Sequence, residues 1–297
     1  MLRDTPCRNT PKTKGETAMR QEREYPLPNR NVQKNPAYLS GKLRIFDELP
    51  STNTYLLERA GRLPDGSAVM AKKQTAGKGR RGRSFVSPDG AGLYLSFLVR
   101  RPFPADHLPL FTPYAAVIVA EAIEELCPVT VGIKWVNDLY LGEKKLCGIL
   151  TEGSFGPDGR LLYAVVGIGV NLIAGALSPE LADIACAIGD FTSPPAPERL
   201  AERILVRFFG DMARLSDRSF LAEYRRRSIL LGREVLTQKD GELLRGVVKA
   251  IDEDCGLCLA TSRGDIVLRA GEVSVRKTAA PMTENAHDMP KKAARTP

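Results

Sequence analysis

The sequence predicts an α+β protein, with one large unit over residues 41–230 and a small all-β barrel over 231–276. Three observations predict it. Short apolar and β-branched runs, bounded by turn residues, recur through the middle of the chain. Longer apolar stretches with helix-start signals interrupt and follow them. Beyond residue 230 only short strand patterns remain, separated by turns at Lys239-Asp240-Gly241 and Arg263-Gly264-Asp265. With 297 residues and 43% hydrophobic side chains, the chain can build a core for both units.

Taken in order, residues 1–40 are rich in Pro, Thr, Asn, Arg and Lys, lack apolar periodicity and read as a disordered arm. Leu43–Leu49 reads as a strand. Ser51–Gly61 reads as a helix headed by good N-cap types. Ser67–Lys73 is a strand, followed by a glycine-rich loop to Arg83, and Gly92–Arg100 alternates like a strand. Leu110–Leu126 is an apolar helix. Strands are expected at Val131–Val136, Leu139–Leu141, Leu146–Glu152 and Leu161–Val170, then helices at Pro179–Ile188, Pro197–Leu215 and Ser219–Ile229. Leu244–Ile251 and Gly256–Thr261 are strands of the barrel, and 277–297 reads as a second disordered tail.

Composition narrows the function classes. No apolar run approaches the ~20 residues of a membrane span, and the N-terminus lacks the apolar centre of a signal peptide, so a cytoplasmic address is expected. Six scattered cysteines do not form a disulfide framework. Cys255 and Cys258 form a lone CxxC in a turn, and with only His107 and His287 in the chain a four-ligand zinc site is not expected. The net charge of +8 invites a nucleic-acid reading, but +4 of it lies in 1–40 and +2 in 277–297, leaving the folded part nearly balanced.

Five segments carry chemistry. Gln74-Thr75-Ala76-Gly77-Lys78-Gly79-Arg80-Arg81-Gly82-Arg83 packs glycines and four basic side chains into one loop. Glycines let backbone amides approach an anion, and the cations offset its charge. A dinucleotide-binding loop is rejected because Pro88 and Gly90 follow where a helix should start, and no GK[ST] completes a phosphate loop. A solvated basic loop or a nucleic-acid patch is the bland alternative. Gly132–Tyr140 holds the only Trp; alternation places Lys134 and Val136 on one face, Trp135 and Asn137 on the other. A core Trp before an Asn-Asp turn is the simpler account. Lys144–Leu150 brings a lysine into an apolar strand. Gly167–Asn171 carries two glycines, which suit a bulge or the close approach of a ligand or backbone. Ser51–Thr54 is a helix cap or a cluster of small donors and acceptors.

In this order the segments STN (51–53), QTAGKGRRGR (74–83), LYLSF (93–97), KWVNDLYL (134–141), KKLCGIL (144–150) and GIGVN (167–171) resemble the catalytic domain of biotin–protein ligases, over roughly residues 43–276. The resemblance implies a mixed-sheet catalytic domain of the biotin/lipoate ligase type with a small SH3-like C-terminal barrel. It implies that Ser51, Thr52, Asn53, Gln74, Gly77, Lys78, Gly79, Arg80, Trp135, Lys145 and Gly148 surround biotin. Arg80, Arg83, Phe85, Asn137, Lys145 and Asn171 would serve ATP and the adenylate, and Lys145, Arg80 and Asp138 the chemistry. Two positions depart from the family pattern: Lys78 stands where Arg is usual, and Val136 where Pro is usual.

The implied reaction joins biotin's carboxylate to AMP and then to a carrier lysine. Cationic charge must be preorganised where two anions meet, with Mg²⁺ accompanying ATP. The implied partner is a biotin carboxyl carrier protein or domain of a biotin-dependent carboxylase, with no membrane and no specific DNA contact; a homodimer is left open. The rival enzyme is a lipoate–protein ligase, which shares the superfold.

Overall fold

A computed structural model describes residues 22–26, 42–239, 242–271 and 273–275. The first unit is an eight-stranded sheet. Its strands are β1 (Glu22–Pro26), β2 (Lys42–Leu49), β3 (Ala68–Gln74), β4 (Gly92–Val99), β5 (Gly132–Lys134), β6 (Asp138–Leu141), β7 (Lys144–Phe155) and β8 (Leu161–Asn171). They lie in the order β1-β2-β3-β4-β8-β7-β6-β5. Only β2 and β3 pair in parallel, so the sheet is mixed. Their crossover contains helix α1 (Thr52–Arg59), capped by Ser51, whose hydroxyl accepts from Thr54 N at 3.4 Å.

Helices cover both faces. Helix α2 (Leu108–Leu126) is buried along most of its length, as its nearly continuous apolar sequence requires. The short α3 (Pro179–Ala182) lies beside the start of β7, whereas α4 (Pro197–Gly210), α5 (Ala213–Ser216) and α6 (Phe220–Arg227) pack against α2. Phe97 of β4 meets Phe208 and Phe209 of α4 at ring distances of 4.6 and 5.5 Å. On the opposite face Tyr55 and Leu56 of α1 join Phe46, Val69, Leu98 and Val165. The expected strand is present as β4, and every residue of it is buried because both faces are covered. One buried polar side chain, Ser96, lies in this strand and faces α1.

Other departures have local causes. The strand expected over 131–136 ends at Lys134; Trp135–Asn137 form a turn, with the Trp135–Val136 peptide cis, so the expected two-face alternation does not extend through it. The helix expected over 179–188 stops at Ala182. Lys145 N donates to Ile184 O and Cys186 N to Lys145 O, drawing this segment against β7. The helix expected over 197–215 breaks after Gly210, where the one proton of the Tyr114 hydroxyl is shared between Phe208 O at 2.8 Å and Asp211 O at 3.0 Å. Finally, the arm over 1–40 is not structureless throughout. Glu22–Pro26 pair antiparallel with β2, whose edge would otherwise present unpaired amides and carbonyls. The rest of that arm, and the tail 277–297, lie outside the described residues.

The second unit is a five-stranded antiparallel sheet of β9 (Glu234–Lys239), β10 (Glu242–Ile251), β11 (Leu257–Thr261), β12 (Gly264–Leu268) and β13 (Val273–Val275), ordered β12-β11-β10-β9-β13. Among the described residues no ladder joins β12 to β13, so the expected barrel is not closed by hydrogen bonds. Val235, Val248, Leu257 and Leu268 share one continuous core with α2. Cys255 takes a φ of 60° in the turn before β11. Among the described residues no helix is long and apolar enough to cross a membrane, and no group of three or more His, Cys, Asp or Glu is placed to hold a metal.

Candidate active site

The register of three central strands forms the floor of a cleft of about 300 Å³. Ser96 of β4 stands opposite Gly167 of β8, which stands opposite Leu150 of β7; one step along, Gly169 stands opposite Gly148. The close approach that these glycines allow is made by side chains. A Cβ on Gly167 would lie 2.1 Å from Asn53 Oδ1, and one on Gly169 would lie 2.4 Å from the Phe85 ring. The Phe85 ring also covers Gly148.

One end of the cleft is neutral and polar. Thr52 N and Oγ1 lie 2.9 and 3.1 Å from Gln74 Oε1, and Gln74 Nε2 donates to Ser87 Oγ at 2.9 Å. Ser96 Oγ is 2.7 Å from Thr52 Oγ1 and 2.6 Å from Asn53 Oδ1. Asn53 Nδ2 donates to Glu152 Oε2 at 2.8 Å. Ser51, Thr52 and Asn53 are each under 5% exposed, so these groups are held rigidly by one another.

The other end is cationic. Lys145 Nζ forms an ion pair with Asp138 Oδ1 at 2.7 Å. Arg80 Nη1 donates to Asn137 Oδ1 at 2.9 Å, and Asn137 is fixed in turn by Ile149, through Nδ2 to Ile149 O at 3.1 Å and Ile149 N to Asn137 O at 3.0 Å. The glycine loop that carries Arg80 is pinched by a bridge between Lys78 and Ser84, and Arg81 takes a φ of 56° within it. Arg83 and Lys78 line the same wall. Trp135, 4% exposed, donates its indole N–H to Cys255 O of the second unit at 2.7 Å. That unit adds Gly271, Val273 and Ser274 to the cleft.

Fourteen of the sixteen site residues expected from the sequence line this one cleft: Ser51, Thr52, Asn53, Gln74, Lys78, Gly79, Arg80, Arg83, Phe85, Trp135, Asn137, Asp138, Lys145 and Gly148. Two do not. Gly77 packs against its own loop, where a Cβ would lie 2.3 Å from Phe85 O. Asn171 turns away and donates to Cys186 O at 3.1 Å. Sequence reasoning missed Ser87, Ser96 and Glu152, and the contribution of Gly271, Val273 and Ser274. A polar residue inside an apolar strand, as in LYLSF, was the one available signal for Ser96.

This is an α+β domain whose sheet, with a small β domain beside it, frames a cleft that is neutral and polar at one end and cationic at the other. Residues 45–171 match the biotin/lipoate A/B protein ligase family, and residues 230–276 the biotin protein ligase C-terminal domain. The biotin–[acetyl-CoA-carboxylase] ligase of Paracoccus denitrificans is 32% identical over 236 residues, covering 75% of this chain and 96% of that protein. The bifunctional ligase/repressor BirA of Salmonella typhimurium is 43% identical over 136 residues, 45% of this chain and 41% of its own length, so the chain matches under half of that relative. Among solved structures, the biotin protein ligase of Aquifex aeolicus in complex with biotin and ATP superposes with a TM-score of 0.67 at 29% identity, covering 79% of this chain and 98% of that one. The chain belongs to the biotin/lipoate A/B protein ligase family.

Proposed function

We infer that this chain is a biotin–protein ligase, which activates biotin with ATP to biotinyl-5'-AMP and passes biotin to a lysine of a biotin carboxyl carrier protein or domain. One observation carries the reading: a single cleft joins the rigid polar wall of Thr52, Gln74, Ser96 and Asn53 to the cations Lys145, Arg80 and Arg83. A polar wall of donors and acceptors suits a ureido ring, and the cations suit the place where a carboxylate meets the α-phosphate.

In the first step a carboxylate oxygen of biotin forms a bond to the α-phosphorus and pyrophosphate leaves. Lys145 and Arg80 offset the charge that accumulates there. Asp138 is the one acidic residue lining the cleft among those described, and it already faces Lys145. The cleft therefore offers no carboxylate cage for a resident metal, and Mg²⁺ enters with ATP as its substrate complex. In the second step the neutral carrier amine attacks the anhydride carbonyl and AMP leaves. Asp138 would orient that amine and take the proton its nitrogen sheds, once Lys145 turns to the adenylate. The cytoplasm is the expected compartment, and no sequence-specific DNA contact belongs to this reading.

The test is incubation with MgATP, labelled biotin or lipoate, and a carrier domain. Biotin incorporation well above lipoate is expected; equal or better lipoate incorporation overturns the assignment.

A further inference from the structure

Glu152 does not line the cleft, yet each of its carboxylate oxygens reaches a different part of it. Oε2 accepts from Asn53 Nδ2 at 2.8 Å, and Oε1 lies 3.9 Å from Lys78 Nζ in the glycine loop. The register explains the placement: Glu152 sits two residues beyond Leu150 on the same face of β7, one row below the Ser96–Gly167–Leu150 row that carries Asn53.

A carboxylate can only accept hydrogen bonds, so the amide of Asn53 must turn its NH₂ toward Glu152 and its carbonyl oxygen toward Ser96. Ser96 has one hydroxyl proton and two oxygen neighbours, Asn53 Oδ1 and Thr52 Oγ1. Asn53 Oδ1 has no proton to give, so at 2.6 Å the Ser96 proton must serve that contact. The carboxylate thus helps set the direction of hydrogen bonds as far as Thr52, whose one hydroxyl proton is left for Ser96 while its backbone N–H serves Gln74. Asn53 Nδ2 also donates to Leu150 O, at the longer distance of 3.3 Å, so Glu152 accepts the shorter of its two bonds.

We propose that Glu152 is a positioning residue that holds Asn53 in one orientation through one oxygen and attracts the loop cation Lys78 through the other. Ordering of the glycine loop and of the ring pocket is thereby coupled. The proposal rests on the reading of the cleft as a biotin and ATP site. Glu152 touches neither substrate; it acts through Asn53 and Lys78.

Three proteins separate the two contacts: wild type, Glu152→Gln and Glu152→Ala. Biotinyl-adenylate synthesis and release are measured in each, with circular dichroism and thermal unfolding as fold controls. The wild type controls for the underlying reading: if it makes no biotinyl-adenylate, the assignment of function fails, whatever the variants do. If it does, Glu152→Gln keeps an acceptor for Asn53 and should hold the biotin KM within about twofold. It loses the exposed ion pair and should release adenylate about two- to fivefold faster at low salt. In 1 M salt that difference should vanish, because the screening length falls to about 3 Å. Glu152→Ala leaves Asn53 Nδ2 only its 3.3 Å bond to Leu150 O and should raise the biotin KM about tenfold, with kcat much less affected, as expected for a lost hydrogen bond to a charged group. A folded Glu152→Ala protein with wild-type KM overturns the orienting role. A Glu152→Gln release rate equal to wild type at low salt, or a difference that persists in 1 M salt, overturns the coupling to Lys78.

Discussion

Lys145 and Arg80 are both cations of the cleft, but their surroundings assign them different tasks. Lys145 projects from a strand and pairs with Asp138, so its charge stands at the cleft before ligand arrives. Lys145→Ala should slow adenylate formation by about 10²–10³-fold, the usual effect of removing one preorganised group at developing charge. The fold should survive, because the side chain is one-third exposed. Pyrophosphate release within a few-fold of wild type would refute this role. Arg80 hangs from a loop and reaches Asn137 across the cleft mouth. Arg80→Gly removes that clasp with little loss of packing, so adenylate should escape faster and label bystander lysines; an unchanged dissociation rate would show that the clasp does not retain it.

At the scale of elements, the tie between α6 and α2 joins an aromatic contact, Phe220 with Tyr114 at a ring distance of 5.6 Å, to an ionic one. Arg227, 8% exposed, makes two 2.6 Å bonds to Glu124 of α2, donates to Val131 O at 3.1 Å, and bonds Glu223 one turn earlier at 2.7 Å. Arg227→Met leaves Glu124 with the Val131 N–H as its remaining partner here and should cost about 3 kcal/mol in urea unfolding, the lower range for breaking a buried pair. The same cluster has a pH signature. Hydrogen bonding by Arg226, aided by Arg227, holds the Glu223 carboxyl down to about 2. A depressed folded pKa contributes stability that is complete above the unfolded value near 4.5 and is lost as pH falls toward 2. The stability difference between wild type and Glu223→Gln should therefore be flat from pH 7 to 5 and shrink between about pH 4.5 and 2. A difference that does not change across that window would dissociate Glu223 from the tie.

For the whole molecule, the second unit completes the cleft. Trp135 Nε1 donates across the boundary to Cys255 O, and Gly271, Val273 and Ser274 close one wall. Trp135→Phe keeps the ring but leaves that buried carbonyl without its donor, and should cost about 1–3 kcal/mol. Thermal unfolding checks this, and biotin affinity should fall with it because the wall is shared. Trp135 is also the only tryptophan in the chain, so its emission reports on the cleft. Titrating wild type with biotin and then MgATP should change that emission; a constant spectrum at saturating adenylate would place the ligand away from Trp135.

The sequence by itself determined the strands and helices whose signals are local: the Ser51 cap ahead of α1, the apolar length of α2, and the glycines of the loop. It also determined most of the cleft's own residues, because each short motif keeps its ligand-facing groups adjacent in the chain. The tertiary structure alone decided the breaks after Lys134, Ala182 and Gly210, where contacts with distant segments outweigh local propensity. It decided that Asn171 faces Cys186 and that Gly77 packs within its loop. It decided, above all, the parts played by Ser96 and Glu152. Each is a single polar residue within a strand, and each meets Asn53 from far along the chain, 43 and 99 residues away. The order β4-β8-β7 brings them to one face, and strand order depends on how whole elements bury their apolar surfaces, which no local pattern records.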